Sequence, residues 1–343
     1  MARDMTKGRI LPQMTAFAIP LILGNLFQIL YNATDSIIVG KFVGDDALAA
    51  VGTAGPIMNM AILFISGMCM GAGILMSTLY GAKDMKNLEK QISTTLIGGL
   101  VFSLLIAFLM IVFAVPILRL INSPEEIIGS AAIYLRVVFL GLIFTFVYNF
   151  LANTLRALGD SRTPLYFLVI SAFLNVAGDL LFVVTLKLGV MGSAVATVLS
   201  EALCCVCCGI YVKLKVPVLC LGKKWRVFER RVLWKTFSYG ITSALQQMCV
   251  QLGKILVQAI INVQGVAFIA AFTAINRVDD FVLSPEGNIA HATTTFIAQN
   301  RGAGDVERVK KGYRCGIIME LIFSVAVSII VFFAAAPLMK KIR

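Results

Sequence analysis

The chain has 343 residues, of which 59% are hydrophobic and only 14% charged, and its mean hydropathy is +0.90. A soluble domain is near 25% charged, so the composition excludes an ordinary soluble enzyme or binding module and points to a lipid environment. The net charge of +12 would suit nucleic acid, but where the charges fall excludes that partner too.

Apolar runs of about 20 residues, the length a bilayer helix needs, recur nine times, and the fold class read from them is an all-α polytopic membrane protein. The spans run 14–38, 50–80, 92–116, 128–151, 165–187, 190–213, 236–261, 265–298 and 314–337. The opening, MARDMTKGRILPQ, is basic, but no small-residue cleavage site follows a short apolar core, so no cleavable signal is read there. The first helix carries Asn25, Gln28, Asn32 and Asp35 at spacings that set all four on one stripe. The second and eighth are interrupted by Gly and Pro and are long enough to tilt or kink.

The fourth helix has Asn149 and Asn153 one turn apart, the fifth Asn175 and Asp179, and the sixth Thr197 and Glu201. Lipid does not accept such stripes, so the four helices turn them inward around a polar chamber. A carboxylate stays buried only with a cation or a proton. Asp35 and Asp179 together would therefore either share a proton or, with the Asn and Thr oxygens, ligate Na⁺. The sixth helix also holds Cys204, Cys205, Cys207 and Cys208; these lie in an apolar run without a second ligand pair and read as inert buried thiols. The seventh helix offers Gln246, Gln247, Gln251 and Lys254. The eighth contains I-N-R-V-D-D-F-V-L-S-P-E-G-N, in which Arg277 pairs structurally with Asp279 or Asp280 and Glu286, after Pro285, is a substrate-facing acid. His291 reads as a packing residue, and Glu320 in the ninth helix has no evident partner. With one histidine and no Cys–His or Ser–His pairing, no catalytic set supports an enzyme.

Most Lys and Arg fall on one side of this helix ladder: Arg3, Lys7 and Arg9, then Lys83, Lys86 and Lys90, then Arg156 and Arg162, then the basic run from Lys213 to Lys235, then Arg301 to Arg314. By the positive-inside rule that side, with the N-terminus, is cytoplasmic. The charge thus sets topology, and no nucleic acid is expected. Shifting the chain by 221 places Gly44 on Gly265, Gly81-Ala82 on Gly302-Ala303 and Asp84 on Asp305. The repeat is parallel. It divides the chain into a six-helix lobe (1–213), a basic linker (214–235) and a partial second lobe of three helices (236–343), three helices short of its own symmetry. Truncation is the expectation that follows.

Four segments, T-D-S-I-I-V-G (34–40), L-R-A-L-G-D-S-R-T-P (155–164), L-N-V-A-G-D-L-L-F (174–182) and F-I-A-Q-N-R-G-A-G (296–304), resemble the multidrug and toxic compound extrusion (MATE) transporters. The resemblance implies two six-helix lobes, alternating access, and export of amphipathic, often cationic drugs against inward Na⁺ or H⁺. It implies an ion-coupling site at Asp35, Asn175, Asp179 and Thr197, the candidate Na⁺ ligands, with Asn153 as a neighbour. Relatives with an ion site in the second lobe use a carboxylate in the seventh helix; the glutamines here favour the first lobe. Gln28, Asn32, Asn149, Glu201, Gln247, Gln251 and Glu286 are the substrate-cavity candidates. The implied partners are drugs and the lipid bilayer, without a cofactor beyond the coupling ion, for a monomer in a bacterial inner membrane. The alternative is a lipid-linked oligosaccharide flippase of the same superfamily, whose cavity would be cationic where this one is acidic.

Overall fold

The structure is a computed structural model, and it describes residues 4–121, 123–216, 227–262 and 285–342. They are almost entirely helical. In chain order the helices are α1 (Ile10–Phe42), α2 (Asp45–Gly81), α3 (Met85–Leu120), α4 (Glu125–Leu140), α5 (Leu142–Ala157), α6 (Arg162–Asp179), α7 (Gly189–Lys215), α8 (Arg230–Asn262), α9 (285–302) and α10 (Val306–Ile342). Among the described residues, six are long and apolar enough to cross a membrane, or seven if α4 and α5 count as one bent span. The 33 residues of α1 reach about 50 Å at 1.5 Å per residue, well beyond a 30 Å hydrocarbon layer. Large apolar side chains face outward along them, with Phe108 64% and Phe332 78% exposed, as lipid-facing surfaces require.

Two expected helices differ from their sequence reading. The single span expected over 128–151 is the pair α4 and α5, bent by 45° at Gly141. A methyl on Gly141 would stand 2.5 Å from Val198 Cγ2, so α7 presses into the bend. The span expected over 165–187 is α helix only to Asp179 and then a π-helical turn, Leu180–Thr185. α8 also begins at Arg230, inside the stretch read as linker. The segment just before it is docked on α3: Ser93 Oγ accepts from the Val227 backbone N–H at 3.1 Å, and Lys90 pairs with Glu229 at 3.5 Å.

The apolar core lies among α2, α3, α4, α5 and α7, around Leu88, Leu118, Leu135, Phe139, Leu142 and Leu155. The two halves of the chain meet where small residues remove the obstruction. Methyls on Gly67 would approach Ala244 Cα to 2.5 Å, and Gly71 sits as tightly on Gly240, so α2 and α8 cross backbone to backbone. Small residues four apart on both helices are what close membrane crossings use. A second crossing joins α2 to α9. Gly81 lies on the Gln299 carbonyl and Gly302 on the Thr78 carbonyl, each too close to admit a methyl. Gln299 is Thr78 shifted by 221, and Gly302 is Gly81 shifted by 221, so this crossing is built from the same positions of both repeats.

The G-A-x-D turns that follow are equally matched. Asp84 caps α3 by accepting from the Asn87 backbone N–H at 3.2 Å, and Asp305 caps α10 by accepting from Arg308 at 2.8 Å. The Asn87 side chain and backbone hold the Asp84 carboxyl below its usual range. The residue before each aspartate is left-handed: Gly304 at φ +78° and Lys83 at φ +58°. A non-glycine residue there carries roughly 1–2 kcal/mol of strain. Lys83→Gly, on an exposed turn, is therefore expected to raise the melting temperature in detergent by about 1–3 °C, as read by a fluorescence melt; no increase would mean the strain is relieved by a contact of the lysine.

The end of the molecule that carries these turns, here the basic face, also receives the N-terminal segment. Met5 is buried against Phe17, Leu21 and Phe296. Its N–H donates to Gln299 Oε1 at 3.0 Å and its carbonyl accepts from Arg308 at 3.1 Å. Gln299 Nε2 donates in turn to the Ala157 carbonyl at the end of α5 (2.8 Å). Two side chains thus bind the N-terminal segment, the first seven helices and the last two into one knot.

Candidate functional site

The site is formed in the half of the bundle away from the basic face, by α1, α6 and α7. Asn175 and Asp179, one turn apart near the end of α6, are 2% and 0% exposed. α7 approaches them closely, since a methyl on Gly178 would lie 3.0 Å from Ala196 Cβ and one on Gly192 3.0 Å from the Phe182 carbonyl. That approach presents Ser193 and Thr197, also one turn apart, to α6 and α1. Asn175 Nδ2 donates to Thr197 Oγ1 at 3.2 Å, and Ser193 Oγ donates to Asp35 Oδ1 at 2.7 Å. The Asp35 and Asp179 carboxyls lie close enough to interact directly.

After these bonds three buried acceptors remain without a donor: Asn175 Oδ1 and both carboxylate oxygens of Asp179. Buried polar atoms in folded proteins are nearly always paired, and these three sit beside a second carboxylate. The donor set is oxygen throughout, from carboxylates, an amide and hydroxyls. It suits a proton or a hard monovalent cation, and not a metal that seeks thiolate or imidazole. Directly after Asp179 the chain takes its π-helical turn, with Leu186 N–H bonding to the Leu181 carbonyl five residues back. Such turns recur at functional sites, and this one disrupts the regular helix at the residue whose carboxylate lacks partners.

Around this nucleus stand Tyr31 on α1 and buried Tyr134 on α4, both within electrostatic range of Asp35, and Glu201 on α7, within range of the two tyrosines. Thr145 on α5 donates its hydroxyl to Glu201. The sequence reading missed Ser193, Tyr31 and Tyr134. Ser193 was accessible to it, because Ser193, Thr197 and Glu201 continue one stripe at i, i+4 and i+8, and so was Tyr31, between Gln28 and Asp35 on theirs; Tyr134 gave no such signal.

The other candidates are placed as follows. Gln28 and Asn32 are exposed on the Asp35 helix, and Gln28 interacts with Tyr31. Asn149 and Asn153 donate to carbonyls of their own helix, at 2.9 Å each. Asn153 is two turns nearer the basic face than Thr145. It lines a small cavity between α2, α5 and α9 with Ser77, His291, Thr294 and Thr295, and no hydrogen bond joins it to Asp35 or Asp179 among the described residues. His291 and Arg156, both half-buried, are electrostatic neighbours. Cys204 Sγ donates to the Phe167 carbonyl at 3.1 Å. In the second half Gln247 is half-buried and Gln246 exposed. Gln251's side chain, Arg277, Asp279 and Asp280 lie outside the described residues. Glu286 accepts from Ser324 Oγ at 2.5 Å, and Glu320, one turn before Ser324, is its electrostatic neighbour. Glu320 thus faces a second carboxylate, which repels its charge.

Comparison with known proteins places the chain in a family. The family model described as MatE matches residues 20–181 and 242–342. YoeA of Bacillus subtilis, named as a probable multidrug resistance protein, is 31% identical over 336 residues, covering 95% of this chain and 72% of that protein. The multidrug export protein MepA of Staphylococcus aureus is 22% identical over 329 residues, 96% of this chain and 72% of that one. Among solved structures, a MOP superfamily transporter from Pyrococcus furiosus superposes with a TM-score of 0.90 at 24% identity, over 99% of this chain and 75% of that chain. An outward-facing multidrug resistance MATE family transporter gives a TM-score of 0.89, also at 24% identity, over 98% and 74%.

Proposed function

We propose, from the premise that this chain belongs to the MatE family of multidrug efflux transporters, that it exports amphipathic, cationic drugs in exchange for Na⁺ or H⁺. The observation that carries the coupling is the set of three unpartnered buried acceptors on Asn175 and Asp179 beside Asp35. In the empty site two carboxylates repel each other in a medium of low dielectric. A bound proton or Na⁺ removes that repulsion and draws α1, α6 and α7 together. Release of the ion reverses this, and the difference between the two packings is the work available to move the helix groups past one another.

Glu201, Gln28, Asn32 and Asn149 in the first lobe, and Gln247, Gln251 and Glu286 in the second, are the proposed cavity residues; their acids and amides suit a cationic cargo. The basic face is proposed to be cytoplasmic, in a bacterial inner membrane, with the monomer as the working unit. Access then alternates by rocking at the α2–α8 and α2–α9 crossings, as two packed groups that turn against each other. The test is efflux of ethidium from loaded cells with each gradient collapsed separately. Collapse of one gradient alone, Na⁺ or H⁺, is expected to stop export. Export indifferent to both would overturn ion coupling.

A further inference from the structure

We propose that the crevice between α3 and α8 binds one acyl chain of an anionic phospholipid from the leaflet at the basic face. The crevice is a cavity of about 310 Å³ between α2, α3, α5 and α8. Cys69, Phe102, Leu105, Phe146, Trp234 and Phe237 are among its walls, and no charged side chain among the described residues lines it. Its two threonines are already engaged: Gln91 Nε2 donates to Thr95 Oγ1 at 3.0 Å and to Thr236 Oγ1 at 2.6 Å. The walls therefore offer shape and dispersion and almost no hydrogen bonding, which selects an apolar occupant.

The mouth opens on the apolar outer surface of the described helices. Val101, Leu105 and Trp234, all on its rim, are 64%, 53% and 61% exposed. An apolar gap open to lipid tails is filled by one, because atoms lining a void forgo their contacts. The headgroup is chosen by what stands at the entrance. Leu233, Trp234 and Phe237 line the cavity, and Arg230 continues the same face of α8 one turn closer to the basic end. It is exposed, while nearby Lys90 is occupied by Glu229. A tryptophan and an arginine at one helix end form an interfacial anchor, and a basic side chain at the mouth of an interhelical crevice favours an anionic headgroup.

The site also has a mechanical position. Met68 lines the cavity, and its Sδ is the atom that a methyl on Gly240 would meet at 2.5 Å. The occupant thus sits against the α2–α8 crossing, one of the two joints between the halves of the chain.

The sequence provides the probe, since it contains only two tryptophans, Trp225 and Trp234. The Trp225→Phe protein, reconstituted in phosphatidylcholine vesicles, is titrated with phosphatidylglycerol brominated on its acyl chains, and separately with brominated phosphatidylcholine. Trp234 emission is expected to quench along a saturating curve, with half-saturation about fivefold lower for phosphatidylglycerol. Arg230→Gln should bring the two lipids together. Val101→Phe, at a lipid-facing rim position that tolerates the larger ring, should remove the saturating phase. Quenching that rises in simple proportion to brominated lipid, alike for both lipids and in Val101→Phe, would overturn the site in favour of ordinary boundary lipid. Saturating quenching without headgroup preference would overturn the assignment to anionic lipid. Neither readout requires transport, so each is independent of the proposed drug export.

Discussion

Asp179→Asn is expected to lower ethidium efflux at least tenfold, a loss of about 1.4 kcal/mol or more, while the protein stays folded. Both oxygens of Asp179 are buried without a donor, so in the absence of an ion its charge only destabilises the bundle. Replacing it by the isosteric amide removes that charge and leaves the packing of Gly178 on Ala196 and Asn175 on Thr197 intact. The melting temperature of the variant in salt-free detergent is accordingly expected to hold or rise. Asp35→Asn should lose efflux comparably, but with a smaller gain in stability, because Asp35 already receives a hydrogen bond from Ser193. A ligand that binds only the folded site stabilises it by mass action. If the ion is Na⁺, the parent's melting temperature should climb with NaCl and not with KCl, and both variants should lose that response. Normal efflux by both asparagine variants would place the coupling site elsewhere.

Gly302→Leu is expected to abolish closure of the basic face, and Gly81→Leu to do the same. A methyl at either position would already overlap a carbonyl of the opposing helix, Thr78 or Gln299, and an isobutyl group cannot be absorbed by side-chain movement. The cost falls on one conformation only. In a transporter that rocks, the helices part at this end during the cycle, and the leucine fits once they have parted. Moving a two-state equilibrium from 99:1 to 1:99 takes about 5.5 kcal/mol, within reach of a forced backbone separation. The readout is a cysteine at Thr294, which lines the small cavity beyond the crossing, in a background whose native cysteines are serine. A membrane-impermeant maleimide added from the basic side should label it in Gly302→Leu and not in the parent. If the variant is labelled no faster than the parent, the crossing is not the gate. Loss of folded protein in Gly302→Leu but not in Gly302→Ala would place the crossing in the fold's permanent core.

Much of this was legible in the chain itself, because lipid makes polar residues conspicuous. Asp35, Asn175, Asp179 and Thr197 stand out against apolar neighbours, their i, i+4 spacing gives each helix a face, and the structure gathers those faces. The repeat was legible for a related reason: Gly81 and Gly302, and Asp84 and Asp305, answer to backbone proximity and helix capping, which few other residues satisfy. What escaped was of two kinds. Tyr134 is an ordinary residue in an apolar helix, and its contribution depends on which helices become neighbours. The π-helical turn after Asp179 and the bend at Gly141 depend on the register of α6 and α4 against α7. Apolar periodicity reports that helices exist and which side they bury, but leaves one-residue shifts in their hydrogen bonding unmarked.

The knot at the basic face has a consequence for assembly. Met5 is held by Gln299 and Arg308, and it reaches them across 294 and 303 positions of chain. At about 5–20 residues per second on the ribosome, the segment around Met5 waits roughly 15–60 s before its clasp has been synthesised. During that interval α1 lacks the partners that bury Met14, Phe17 and Leu21, and its inner face depends on lipid or on the insertion machinery. Completion of α9 and α10 therefore acts as a checkpoint on the order of assembly: the segment made first is the one locked in last.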